Sequence, residues 1–429
     1  MDISVILPIL VLGVGFYLLA VLRFFFIIHP IKTLRTFLNS LKSKDSRRSL
    51  SLALAGTLGV GNIFGVAAGI MIGGAGSVFW LFSSSVFAMV IKYAETLLSF
   101  DNLSDTSSGM HRVLIFAFSS KGKALSFIYA ALCLALAFLM GSAMQSAALA
   151  DVAKSSLSLS PIAVALSLTA LTVLGVVGGA EKIEKVTEKI IPLTTVIYII
   201  MSFLVIFSRI SRLPYMMSLV ISSAFSPLAA GGGIIAFFSS AAIKEGFARG
   251  ILSNEAGCGT SSLAHTRAKK RTPHEAGLFG MCEVFFDTTL LCMLTAIVIL
   301  ISVENPSAYT TPMSLITAAF GSSLGVWSEY LLLLCIFAFA YSTVICWYYY
   351  GSECMSYLIG LKGKIVFPLF FFAFLLFGSF IANELLLYLT DIVILLMSLL
   401  TLSAIVKKID RIKRLSHLGI TEQKNKRRQ

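Results

Sequence analysis

The chain reads as an all-α integral membrane protein of about eleven transmembrane helices, and three observations carry that reading. Of its 429 residues, 57% are hydrophobic and 13% charged, with a mean hydropathy of +0.90. A soluble domain carries about 25% charged residues. The apolar residues fall into long runs near the roughly 20 residues that cross a bilayer. The basic residues, which set a net charge of +13, sit in short clusters between those runs. Such a composition excludes an ordinary soluble enzyme, a disordered chain and a disulfide scaffold. The clustering makes the charge a topology signal and not the footprint of a nucleic-acid partner.

Taken in order, the first span covers residues 4–28; Asp2 and the lack of a basic lead-in make it a retained span, not a cleaved signal peptide. A basic loop follows to residue 50. The next spans are 51–73, 77–100, 125–150, 160–178 and 190–208, then 217–243, 276–303, 325–358, 365–381 and 386–406. A basic tail, 407–429, closes the chain and reads as a solvated topology anchor. With the N-terminus outside, the inner segments hold 29 Lys and Arg and the outer ones three, Lys154, Arg209 and Arg212. That asymmetry predicts N-out, C-in. The seven cysteines show neither metal spacing nor a disulfide framework.

Two spans are not uniformly apolar. Residues 55–65 run Ala-Gly-Thr-Leu-Gly-Val-Gly-Asn-Ile-Phe-Gly, and residues 231–233 are three successive glycines. Each glycine weakens a helix by about 1 kcal/mol. Backbone freed at membrane depth must line a cavity or be buried in protein. Two interrupted spans five helices apart, one starting inside and the other outside, point to a transporter built from inverted repeats. The repeats are expected over 51–208 and 217–406, preceded by the first helix and basic loop (1–50) and followed by the tail (407–429).

Four segments carry a resemblance. They are Ala53 to Val66 with Gly73 to Trp80 and Lys92-Tyr-Ala-Glu95; Gly178-Gly-Ala-Glu-Lys-Ile-Glu-Lys-Val with Pro192; Arg249-Gly-Ile-Leu-Ser-Asn-Glu255-Ala-Gly-Cys-Gly with His265 and Phe286-Asp287-Thr288; and Phe337-Ala-Phe, Ser342-Thr343 and Trp347-Tyr-Tyr-Tyr-Gly351. Their order and spacing resemble the alanine or glycine:cation symporter family. The resemblance implies a leucine-transporter-type fold, a 5+5 inverted repeat behind one extra helix. It also implies sodium-coupled import of a small neutral amino acid, alanine or glycine of either hand, across a plasma membrane, such as a bacterial inner membrane. No cofactor besides the coupling Na⁺ is expected. The same fold with a proton or another amine as ligand is the alternative; a passive channel or a non-transporting sensor is a more distant one.

Within that frame, the amides near Gly59, Gly61 and Asn62 suit a carboxylate at a half-helix N-terminus. Thr57, Ser342 and Thr343, with carbonyls from Ala55 to Leu58, suit Na⁺. Gln145, an amide in the middle of a span, is a candidate substrate contact; Trp347 and Phe237 are candidates for closing the pocket. Glu283 and Asp287, four apart in one span, are candidates for a shared proton or coupling site, since intramembrane carboxylates are functional by default. Glu283 departs from the family pattern. Lys92 and Glu95 are expected to form an ion pair. Asn254 and Glu255 look like a structural cap and inner-gate element. Ser262 and His265 lack the oriented acid and nucleophile elbow of a hydrolase, so no enzyme activity is expected.

Overall fold

The computed structural model describes residues 3–28, 30–101, 109–225, 240–268 and 271–425, and among these no residue is in a strand. Among the described residues, seven helices are long and apolar enough to cross a membrane, an eighth crossing is a bent pair, and Val5–Val21 and Pro161–Val176 are shorter apolar helices. Most predicted spans recur within a few residues. Residues 77–100 become Gly76–Ser99, 325–358 become Trp327–Ile359, and 386–406 become Asn383–Lys407.

The departures have local causes. The first span ends at Val21, because Arg23 and Phe24 are left-handed, with φ 54° and 52°. The loop expected after it contains a helix, Pro30–Ser40. This helix lies along the protein with Phe37 buried and Ile31, Leu34 and Leu38 exposed, as an interfacial helix does. A further helix, Pro312–Leu324, falls where only a connection was expected; Thr311 caps it, accepting from the Ser314 amide. The span at 217–243 begins as Leu213–Ala224 and resumes as Ala241–Asn254. Its glycine run and Phe237 lie outside the described residues.

Near the centre of the molecule the broken span packs chiefly on Gly179–Ser208, Ala241–Asn254, Trp327–Ile359 and Pro312–Leu324. The Gly76–Ser99 helix packs on Ala241–Asn254 and on Pro273–Val284, while the Trp327–Ile359 helix packs on Lys44–Thr57. Small residues permit this closeness. A Cβ on Gly246 would lie 2.5 Å from the Ser77 carbonyl, and one on Gly141 would lie 2.3 Å from Trp347.

Candidate functional site

The glycine pattern at 55–65 breaks the helix where the sequence places the break. One half-helix, Lys44–Thr57, ends before Gly59, which is extended (φ −109°, ψ −165°). A single 3₁₀ turn, Val60–Asn62, leads into the second half, Phe64–Gly73, and the two halves are bent by 65°.

The break presents carbonyls on one side. Trp347 Nε1 donates to the Gly56 carbonyl at 3.1 Å, and Thr343 Oγ1 donates to the Leu58 carbonyl at 3.2 Å. The Gly59 amide turns back to the Thr57 carbonyl at 2.9 Å. No described residue donates to the carbonyl of Ala55. Of the three hydroxyls expected here, Thr343 reaches the break. Ser342 donates to Ala338 and Phe339 carbonyls of its own helix at 2.9 and 2.8 Å, the usual bond of a mid-helix serine. Thr57 likewise faces its own Leu54 carbonyl at 3.5 Å.

The other side presents amides. Gly59 N–H donates to Asn62 Oδ1 at 3.1 Å, and Val60 N–H donates to Gln145 Oε1 at 3.2 Å. Gln145 is 2% exposed and follows a π-helical segment, Leu139–Ala143; its Nε2 donates to the Met140 carbonyl at 3.1 Å. Gln145 thus bridges the broken span to its neighbour. Gly61 borders a small, mostly apolar cavity with Val60, Phe64, Met144, Ala148, Leu252 and Asn383, and a Cβ there would meet nothing within 4 Å. Gly59 differs: a Cβ would lie 2.9 Å from Thr343 Oγ1 and 3.1 Å from Gln145 Oε1.

Trp347 is fully buried against the half-helix carbonyl and Gly141, and it braces the break.

Asn62 is the second hub. Its Nδ2 donates to Ser253 Oγ at 3.0 Å and to an Asp287 carboxylate oxygen. Ser253 and Thr288 hydroxyls donate to the other Asp287 oxygen at 2.6 and 2.7 Å. Thr295 Oγ1 lies 3.2 Å from the Asn62 carbonyl and 2.7 Å from Tyr198 Oη. Ser253, Thr295 and Tyr198 carry no spacing signal that would have singled them out in the sequence.

Glu283 and Asp287 do not form the expected pair. A π-helical segment begins at Phe285, and its wider turn removes the one-face relation that a spacing of four has in an α-helix. Glu283 instead accepts from Ser261 Oγ at 2.7 Å and faces His265 Nε2 at 2.8 Å, and Lys92 Nζ lies 3.4 Å away. All three of Glu283, His265 and Lys92 are fully buried. The cation absent from the span of Glu283 therefore comes from the Gly76–Ser99 helix. The expected Lys92–Glu95 pair is also replaced: Lys92 Nζ donates to the Asn254 carbonyl at 2.8 Å, and Glu95 Oε1 accepts from the Gly257 amide at 2.7 Å. Asn254 ends its helix, and its side chain accepts from Ala256 N at 2.9 Å. Ser262 Oγ accepts from Met110 N at 2.9 Å and donates to the Gly259 carbonyl at 2.5 Å, which leaves it a structural hydroxyl.

Known proteins place this arrangement. A solved sodium-coupled sialic acid symporter, in a substrate-bound outward-open state, superposes over 98% of this chain and 87% of its own, with a TM-score of 0.53 at 13% identity. At that identity the likeness concerns the fold. A sodium/alanine symporter of Methanococcus maripaludis is 32% identical over 74% of this chain and 71% of its own. A probable sodium/glutamine symporter of Bacillus subtilis is 29% identical over 94% and 85%. An uncharacterized transporter of Haemophilus influenzae is 31% identical over 93% and 90%. The sequence profile of the sodium:alanine symporter family matches residues 1–426, and the chain belongs to that family.

Proposed function

We propose that this protein imports alanine or glycine together with Na⁺ by alternating access. Family membership makes it a multi-pass membrane transporter of the sodium-coupled amino-acid class, not an enzyme. The observation that carries the finer reading is the 65° break, which exposes backbone of both polarities around one point. Carbonyls of Ala55 and Leu58, with the Thr343 hydroxyl, are hard oxygen donors suited to Na⁺. The amides from Gly59 to Asn62 begin a half-helix and attract an anion. A zwitterion presents the carboxylate those amides need. The cavity beside Gly61 is small and mostly apolar, which favours a hydrogen or methyl side chain over a long polar one. Gln145, now on the Val60 amide, is placed to exchange that bond for the ligand. The excess of Lys and Arg in the segments read as inner supports an outside N-terminus and an inside C-terminus, and the two repeats, 51–208 and 217–406, supply the halves that rock.

The test is uptake of labelled alanine and glycine into proteoliposomes, with and without an inward Na⁺ gradient, and with excess unlabelled glutamine as competitor. Saturable, Na⁺-driven accumulation resisting glutamine is expected. Equal uptake without Na⁺ would remove the coupling, and displacement by the excess glutamine would overturn the small-side-chain reading.

A further inference from the structure

Among the buried acids that the carrier reading does not use, Glu255 stands apart. Glu255 follows the last residue of the Ala241–Asn254 helix, in the inner segment between the seventh and eighth predicted spans, and is 0% exposed. Its backbone is left-handed, φ 54°, a conformation that glycine adopts cheaply and other residues at a cost. Helix ends of this kind usually carry glycine, so a carboxylic acid held there marks the position.

The charge around it does not balance. Lys92 faces it from the Gly76–Ser99 helix, Glu283 and Asp287 face it from the Pro273–Ser302 helix, and Cys258, which also faces Glu95, lies in its own loop. Tyr350 and Cys346 face it from Trp327–Ile359, and Cys133 from Gly122–Phe138. Only Lys92 among these is a cation. Its ammonium sits on Glu283 and on the Asn254 carbonyl. His265, beyond Glu283, has Nε2 on that carboxylate and Nδ1 toward the Arg271 guanidinium at 3.5 Å. A nitrogen facing a guanidinium must accept, so the imidazole carries one proton and no charge. Arg271 directs its other donors to Ser46 and Ser49. One ammonium is therefore set against four buried carboxyl groups, Glu95, Glu255, Glu283 and Asp287, and an uncompensated buried charge costs several kcal/mol.

The acids are not served equally: Asp287 has Asn62, Ser253 and Thr288. Glu283 has Lys92, His265 and Ser261; Glu95 has the Gly257 amide at 2.7 Å. Glu255 has the Thr260 hydroxyl on Oε2, and Oε1 is buried with no hydrogen-bond partner. Among the described residues no three carboxylate, imidazole or thiol groups gather around one point to hold a metal ion. A proton needs no such cage.

We propose that Glu255 is a proton-binding site of this transporter, neutral while the inner side is closed, and releasing its proton to inner-side water when that side opens. The step is a simple acid dissociation: the carboxyl O–H breaks, its electron pair stays on Glu255, and water accepts the proton. The release during transport rests on the carrier reading; the bound proton does not.

The test separates the two. Infrared spectra of the full-length protein in nanodiscs, titrated with alkali, should show the C=O band of a protonated carboxylic acid that converts to carboxylate. Glu255→Gln should remove that band, and Glu95→Gln and Glu283→Gln should retain it. In proteoliposomes the wild-type alanine uptake rate should change with inner pH by up to about tenfold per unit, the limit for one proton, and Glu255→Gln should flatten that slope while keeping Na⁺-driven uptake. Absence of the band in the wild type overturns the proposal whether or not the variant folds. So does a band that survives in Glu255→Gln or vanishes only in Glu95→Gln. Loss of Na⁺-driven uptake in the wild type would instead overturn the carrier reading and leave the infrared result standing.

Discussion

Replacing Gly59 by alanine tests the ion site with one carbon atom. The backbone at Gly59, φ −109° and ψ −165°, is open to any L-residue, so the substitution stores no backbone strain. Its cost is steric. The new methyl would lie 2.9 Å from Thr343 Oγ1 and 3.1 Å from Gln145 Oε1, well inside normal contact. Both atoms are already engaged, Thr343 with the Leu58 carbonyl at 3.2 Å and Gln145 with the Val60 amide at 3.2 Å. Moving either breaks a buried hydrogen bond worth about 0.5–1.5 kcal/mol. Loss of both amounts to about 1–3 kcal/mol, or roughly 5- to 150-fold in affinity. The expected outcome is a rise of that size in the half-saturating Na⁺ concentration for alanine uptake, with normal membrane insertion. Ser342→Ala is the internal control, since its hydroxyl bonds only within its own helix, and it should leave the Na⁺ value within about twofold. A Gly59→Ala protein with wild-type Na⁺ dependence would refute the assignment of Thr343 and the break to the ion.

Three further outcomes follow from the same geometry. Thr343→Ala removes one hard oxygen and the donor on the Leu58 carbonyl; Na⁺ affinity should fall several-fold, about 1 kcal/mol, and Thr343→Ser should restore it, as Na⁺ titration of uptake would show. Gly61→Val should fill the mostly apolar cavity and abolish alanine binding while the protein inserts and melts normally, as a thermal-shift comparison with and without alanine would reveal. Lys92→Met should leave Glu283 buried without its ammonium and cost about 3–5 kcal/mol of stability. The double variant Lys92→Met/Glu283→Gln should recover part of that loss in a thermal melt; a double variant no more stable than the single one would show that the pair is not what holds the three helices.

The sequence alone determined the membrane class, the placement of most spans and the break at Gly59. Each of these is a local property. Apolar length sets whether a segment can span, and glycine spacing sets where a helix can open, so both are visible without knowing any neighbour. The interfacial helix Pro30–Ser40 was less legible, because a short amphipathic run rich in basic residues reads as a loop until Phe37 finds a core to enter. Partner choice was decided only by tertiary structure. Sequence spacing paired Lys92 with Glu95 and Glu283 with Asp287, both within one helix. In the folded protein Lys92 crosses to Glu283 and to the Asn254 carbonyl, 162 positions away, and Asp287 joins Asn62 and Ser253. The reason is desolvation: a buried charge needs every nearby donor or acceptor it can reach. Those groups lie on helices that meet only when the bundle closes, with a π-helical turn resetting the phase that a regular helix would have had.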